Sequence, residues 1–304
     1  MKHLIILVIA AVITLSGCVK SPSTALNPQP LMYGLPIIVA HRGARSVAPE
    51  NTLLSAQRAY DFQADQWELD VQVSQDGELV LIHDPNFMHT TNAEAVFPMR
   101  FFWKVKNLTF EEIKRLDAGS WYLKKDPFGE IKKGNVTTAD QERMVNEPIP
   151  TLREALKFTM DKNWSVNVEI KDVSGTAGDA DIVQKTVALI EEMGMQEQVI
   201  ISSFNLDYLV QVKQLAPDLK TAALVDEMDD PLKLLQDIGA DAINPSYKSI
   251  KDLSIIQTIR DAGYEVYVWT VNDEENMMKL INAGVSGIIT DYPQLLVEVF
   301  KKYH

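Results

Sequence analysis

Cysteine is almost absent: the 304-residue chain has one, Cys18. No internal disulfide can form, and no CxxC metal or redox site exists. Positive charge is scarce too, with 29 Lys and Arg against 42 Asp and Glu, a formal net charge of −13. An extended phosphate backbone needs a basic face, so a general nucleic-acid-binding role is excluded. The chain also lacks an apolar run of the about 20 residues that span a bilayer comfortably. The run at 4–15 is shorter and is broken by Thr14. No HxH metal pair occurs, which weakens the case for a barrel acting on sugars or amides. What is present is a globular composition, 46 % hydrophobic with 14 Gly and 14 Pro. It is enough for one large α/β domain or two small ones.

The apolar run follows a short basic start, Met1-Lys2-His3, and has the length of a signal-peptide core. Leu15-Ser16-Gly17-Cys18 comes next and resembles the bacterial lipobox, where cleavage before the cysteine accompanies its lipidation. The expectation is a signal peptide over 1–17 and lipid on Cys18. An uncleaved anchor with a chance cysteine, or a buried helix, is the alternative. The first seventeen residues carry one lysine and no acid, so the exported form would have a formal charge of −14. Residues 19–36 hold four prolines and no periodicity, which reads as a semi-extended tether. The predicted location is the cell envelope, with membrane attachment through the lipid. In a Gram-negative cell that means periplasm or outer membrane, since Val19 replaces the Asp associated with inner-membrane retention.

From Pro36 onward, short apolar runs alternate with amphipathic stretches. Strands are predicted at 37–40, 67–73, 165–170, 198–203, 220–224, 242–244, 265–269 and 287–290. Helices are predicted at 52–61, 151–160, 181–193, 206–215, 231–238, 253–262, 274–283 and 293–303. Glycine follows four of the helices, at 194, 239, 263 and 284, as C-terminal caps do. Eight such alternations predict a TIM-like (β/α)8 barrel over 37–300. A doubly wound sheet is the rival, but no Gly-rich nucleotide fingerprint follows the first strand. Two features interrupt the pattern. Residues 79–82 form an extra strand joined to 67–73 without a helix. Residues 87–148 have little rhythm beyond 109–116, which predicts a small subdomain inserted above one end of the barrel.

Functional groups of such a barrel gather at the C-terminal ends of its strands. The first strand ends in His41-Arg42-Gly43, a proton-transfer group beside a phosphate clamp, or a turn cap beside a surface pair. Glu68 and Asp70 lie two apart on one strand and so share a face. Like charges at that spacing repel, and a hard divalent cation would relieve them. A solvated acidic edge strand is the alternative. Asp76-Gly77 predicts a two-residue hairpin turn, in which paired positions put His83 opposite Asp70. A slip of one residue would send His83 to the other face. Asn167, Glu169 and Lys171 alternate on a further strand, fitting a metal ligand beside an anion binder, or an internal ion pair.

Taken together, these residues resemble the glycerophosphodiester phosphodiesterase family. The motifs are AHRGARSVAPENT at 40–52, WELDVQVSQDGELVLIHD at 67–84 and VEIK at 168–171. Further pieces are LDAGSW at 116–121, IPTLREAL at 149–156, SSFN at 202–205, VYVWTVN at 266–272 and GIITDYP at 287–293. The resemblance implies a TIM-like barrel with a small subdomain inserted after the HD motif. It also implies hydrolysis of deacylated phospholipids to sn-glycerol 3-phosphate and an alcohol. Carried over by motif, His41 and His83 are the acid/base pair. Glu68, Asp70 and Glu169 are the ligands of a divalent metal, Ca²⁺ or Mg²⁺. Arg42 and Lys171 stabilise phosphate, Asn51 sits near the metal or substrate, and Trp269 lines the pocket. The chain departs from the family at Met88-His89-Thr90-Thr91, where members often carry Arg before the two threonines. A lysophospholipase D, a phosphatidylinositol phospholipase C-like enzyme and a non-catalytic surface lipoprotein are the competing readings. Head-group preference, the division of acid and base between the histidines, and oligomeric state stay open. Water, or the glycerol hydroxyl through a cyclic phosphate, could be the nucleophile. His89 and Met277-Met278 read as ordinary loop and packing residues. Asp291 reads equally as a barrel-mouth group or a helix start.

Overall fold

Along Gln66–Val73 (β2) alternate side chains take opposite faces of the strand. Trp67 faces outward: its ring stacks on Trp164 at 6.3 Å, and its Nε1 donates to Thr159 Oγ1 of the helix Leu152–Asp161 at 2.9 Å. Glu68, Asp70 and Gln72 therefore face inward. What they face into is a closed barrel. The computed structural model describes residues 33–303, and the expected signal peptide, Cys18 and the tether as far as residue 32 lie outside the described residues.

Ile37–Ala40 (β1) pairs in parallel with β2 on one side and with Gly287–Thr290 (β9) on the other. Between them run Ser165–Ile170 (β4), Val199–Ser203 (β5), Lys220–Val225 (β6), Ala242–Pro245 (β7) and Glu265–Val268 (β8), each parallel to its neighbour. The chain is thus the expected eight-stranded parallel barrel, wrapped by helices. Ile200, Ala222 and Ala242, with Tyr267 against them, form an apolar cluster of their own. The large outer cluster packs the other strand faces on the helices. Local signals set the helix ends. Thr151 and Glu154 form a reciprocal capping box, and Gly239 and Gly284 take left-handed conformations at helix ends. Among the described residues no helix is long and apolar enough to cross a membrane.

Contacts with the barrel begin before the end of the expected tether at Pro36. Tyr33 hydrogen-bonds Asp261, and the Arg260 guanidinium lies 5.0 Å from its ring centroid.

The hairpin differs from the sequence expectation by one residue. Val71 pairs with Leu81 of Leu79–Leu81 (β3), Gln72 with Val80 and Val73 with Leu79. The turn is a three-residue loop, 75–77, closed by Ser74 N donating to Glu78 O at 2.9 Å. Ser74 Oγ accepts from Glu78 N and donates to Asp76, and Gly77 supplies the left-handed residue (φ 91°) that this loop type needs. Ile82, not His83, then lies opposite Asp70. The expected register was wrong, yet His83 still reaches the barrel mouth, because β3 stops at Leu81 and the chain bends. Gln72 Nε2 lies 3.1, 3.0 and 2.7 Å from the carbonyl oxygens of Ile82, His83 and Asp84 and holds that bend.

Beyond the bend, short helical turns at 93–96, 110–113, 120–125 and 138–143 occupy the stretch before the helix at 152–161. Phe87, Phe97, Val105, Leu108, Ile113 and Leu116 form part of a second apolar cluster there, with Val80 and Ile149 at its base. Gln72→Leu keeps the volume but removes the donor that faces the Ile82, His83 and Asp84 carbonyls. It should cost about 1–3 kcal/mol in urea unfolding. An unchanged midpoint would mean that the bend holds itself.

Candidate active site

β1 delivers His41-Arg42-Gly43 to the C-terminal mouth of the barrel. His41 N still donates to Thr290 O at 2.9 Å, and then the chain turns through a left-handed Arg42 (φ 53°). That conformation aims the Arg42 N–H at Glu68 Oε2, 2.8 Å away. Gly43 is required next: its φ is 80°, and a Cβ there would fall 2.4 Å from Ser55 Oγ. Asn51, also left-handed (φ 56°), locks onto Asp70 twice. Its Nδ2 donates to Asp70 Oδ2 at 2.8 Å and its Oδ1 accepts from Asp70 N at 3.0 Å.

The β2–β4 register puts Asp70 beside Glu169 and Glu68 beside Asn167. Oxygens of Glu68, Asp70 and Glu169 lie within 4.8 Å of one another, and all three residues are buried. Two cations answer them. Arg42 Nε is 3.2 Å from Asp70 Oδ2; Lys171 Nζ is 2.6 Å from Glu169 Oε1 and 3.4 Å from Asp70 Oδ1. Burial would raise Asp70, but Lys171 and Arg42 outweigh it and hold its carboxyl below the usual range. Glu169 is pushed up to about 7 by burial and by Asp70. Glu68 is raised well above the ordinary value by burial, Asp70 and Glu169. Glu68 Oε1 is buried with no hydrogen-bond partner among the described residues, and Asp70 Oδ1 has no hydrogen bond beyond its ion pair with Lys171. Hard, acceptor-only oxygens left unsatisfied at this spacing fit a hard divalent cation.

Each histidine is held through Nδ1. His41 Nδ1 lies 2.7 Å from Asp291 Oδ1, and His83 Nδ1 lies 2.9 Å from Asp84 Oδ1. A carboxylate accepts, so Nδ1 carries the proton in the tautomer inferred here, and Nε2 is the free ring nitrogen. Burial, then Arg42, lowers His41 despite Asp291. His83 is also lowered, by burial first and by Arg42 and Lys171, despite Asp70. Both rings are therefore held toward the neutral form at neutral pH.

His41, Arg42, Glu68, His83, Glu169 and Trp269 share one cavity of about 130 Å³. Trp269 is fixed by its Nε1 donating to Asn244 O at 2.7 Å and by the edge of Phe204 at 5.6 Å. Lys171 and Asn51 do not line this cavity. Both stand behind the carboxylates, where they fix Asp70. Two residues left unassigned by the sequence reading complete the site. Asp291 joins His41 to Asn272, whose Nδ2 donates at 2.7 Å, and Glu50 bridges Arg42 and Arg45 at 2.8 and 2.7 Å. The available signals were Asp291 at the end of a strand and Glu50 inside the PENT run.

The sequence matches the Glycerophosphoryl diester phosphodiesterase family over residues 41–295. The chain belongs to this family. A glycerophosphodiester phosphodiesterase of Caldanaerobacter subterraneus subsp. tengcongensis is 38 % identical over 267 residues, 88 % of this chain and 98 % of that one. One from Bacillus subtilis is 33 % identical, covering 88 % and 87 % of the two chains. The structure of an Oleispira antarctica phosphodiesterase in complex with the product sn-glycerol-3-phosphate aligns with a TM-score of 0.74 at 28 % identity, covering 88 % and 97 %. The protein is therefore an enzyme of the glycerophosphodiester phosphodiesterase class.

Within this phosphodiesterase, Asp291 carries a testable charge. Burial would raise it, but His41, Arg45 and Asn272 bring it down to about 2 from the ordinary 3.8. A lowered carboxylate stabilises the fold fully above its unfolded value and loses that contribution as pH falls through the folded one. The amount is about 2 kcal/mol. Acid unfolding followed by circular dichroism should therefore steepen for the wild type between about pH 4 and pH 2. Asp291→Asn should be less stable at neutral pH and flatter in that window. Equal slopes would detach Asp291 from His41.

Proposed function

We propose that this enzyme hydrolyses glycerophosphodiesters to sn-glycerol 3-phosphate and an alcohol. His41 and His83 are the acid/base pair, and Glu68, Asp70 and Glu169 hold a divalent cation, Ca²⁺ or Mg²⁺. The observation that carries this reading is one cavity lined by both Nδ1-anchored histidines and by two of the three crowded carboxylates, Glu68 and Glu169. The product found in the Oleispira antarctica relative supports the substrate class.

A divalent cation at the three carboxylates would supply Lewis-acid stabilisation to the phosphoryl oxygens. This chain's residues do the rest. Arg42 adds a fixed positive charge to the cavity wall, preorganised by Glu50 and Asp70. One imidazole takes the proton of the nucleophile as its oxygen bonds to phosphorus. The other enters the step as the imidazolium, with Nε2 also protonated, and gives that proton to the head-group oxygen as the P–O bond to it breaks. Asp291 and Asp84 stabilise the imidazolium forms through Nδ1. Such transfers are typically worth about 10²–10⁴-fold each. Trp269 and Phe204 offer an apolar wall to the glycerol carbons. Lys171 acts through Glu169 and Asp70, because its Nζ is engaged there.

The lipobox at 15–18 supports a lipid-anchored protein of the cell envelope, tethered through Cys18.

The test is release of free choline or ethanolamine from glycerophosphocholine, glycerophosphoethanolamine and lysophosphatidylcholine, with Ca²⁺, Mg²⁺ or chelator; the first two also yield glycerol 3-phosphate. The soluble diesters should be cleaved fastest, and chelation should stop turnover. His41→Ala and His83→Ala should each lower kcat by about 10²-fold or more with the fold intact. Full turnover in either variant would remove the acid/base assignment, and indifference to chelator would remove the metal.

A further inference from the structure

Four large apolar side chains stand in solvent beside the catalytic bend. Met99, Phe101 and Phe102 are 89, 85 and 67 % exposed, and Met88 is 46 % exposed. Apolar residues scattered singly over a surface are ordinary, but a run on one loop tip marks a contact. The tip is anchored. Trp103 Nε1 donates to Phe97 O at 2.9 Å, Phe87 N donates to Trp103 O at 3.0 Å, and Asn86 bridges Lys104 in antiparallel fashion. Phe102 and Trp103 are both left-handed (φ 69° and 26°), so the chain turns sharply there. Trp103 packs on the cluster below, while Phe101 and Phe102 stay outside it.

Charge narrows the choice of occupant. Residues 97–106 contain Arg100, Lys104 and Lys106 and no acid, in a chain of net charge −13. Arg100 is engaged by Glu112, with Nη1 to Oε2 at 3.0 Å. Lys104 and Lys106 are exposed, and neither has a recorded ion pair among the described residues. The exposed acids nearby are Glu94, and Glu111, which pairs with Lys114. A protruding tip offers a folded protein partner little concave surface to complement. A bilayer interface accepts Met and Phe without matching shape and places Lys at the lipid phosphates.

We propose that residues 98–103 are a membrane-docking tip. Met99, Phe101 and Phe102 enter the interface of an anionic bilayer, and Lys104 and Lys106 pair with its headgroups. The tip grows from the segment directly after His83 and Asp84, so docking brings the catalytic mouth toward the lipid surface. Docking at this tip is independent of the acid/base and metal chemistry.

The test uses the full chain. Cys18→Ser removes the one cysteine, so Phe101→Cys then offers a unique site for an environment-sensitive fluorophore. Asp218→Cys is the control, exposed on the loop that enters the opposite end of β6. Phosphatidylcholine vesicles containing phosphatidylglycerol should shift the label at 101 to the blue and leave the label at 218 unmoved. Lys104→Gln and Lys106→Gln should each raise the lipid concentration needed by about 5-fold, from ~1 kcal/mol per basic residue at a membrane surface. Hydrolysis of soluble glycerophosphocholine should be unchanged. No shift at 101 in vesicle-bound protein, or equal shifts at both labels, would overturn the proposal. So would a shift at 101 that grows with protein concentration without lipid, which would mark a second copy as the occupant.

Discussion

Three carboxylates crowd inside a barrel whose interior would otherwise be filled by apolar layers, and the rest of the site depends on that crowding. Oxygens of Glu68, Asp70 and Glu169 lie within 4.8 Å of one another, and among the described residues Arg42 and Lys171 pair with them. Such burial costs stability unless the charges are answered. The burden falls unevenly. Asp70 keeps its charge because both cations and Asn51 reach it, while Glu68 and Glu169 are pushed toward the protonated form. A site arranged this way stabilises the bare fold poorly and suits a divalent cation, a trade common where function decides the residues.

The histidines hang on the same framework. A continuous path runs His41–Asp291–Arg45–Glu50–Arg42–Asp70, each step a hydrogen bond or ion pair of 3.5 Å or less. It joins one end of the first strand loop to the last strand and to the carboxylates, closing the site where β1 and β9 close the barrel. His83 arrives independently, on a bend held by Gln72 rather than by strand pairing. The two rings thus have separate supports and line one cavity from different elements.

Much of this was legible in the sequence, for physical reasons. Period-two alternation at 67–73 and 165–170 fixes which side chains share a face, so Glu68, Asp70 and Glu169 could be grouped. The Gly residues at helix ends fixed the alternation that makes a barrel. Turn length was not legible. Asp-Gly favours a two-residue turn, but Ser74 Oγ satisfies Glu78 N and Asp76 and tips the balance to three. Asp291 pairs with His41 across 250 residues, a contact that only barrel closure creates. Lys171 read as an anion binder beside a metal ligand because of its strand position, and its Nζ pairs with Glu169 and Asp70. The exposure of Phe101 and Phe102 could not be read from a segment without periodicity.

The most direct test of the central claim is thermal unfolding of the wild type and Glu68→Gln, each with chelator and with excess Mg²⁺ or Ca²⁺. Glutamine mimics the neutral acid and keeps the acceptor for Arg42 N–H. With chelator the variant should melt at or above the wild-type temperature. With cation the wild type should rise and the variant should not. A variant that melts lower in chelator, beside a wild type that no cation moves, would contradict the account.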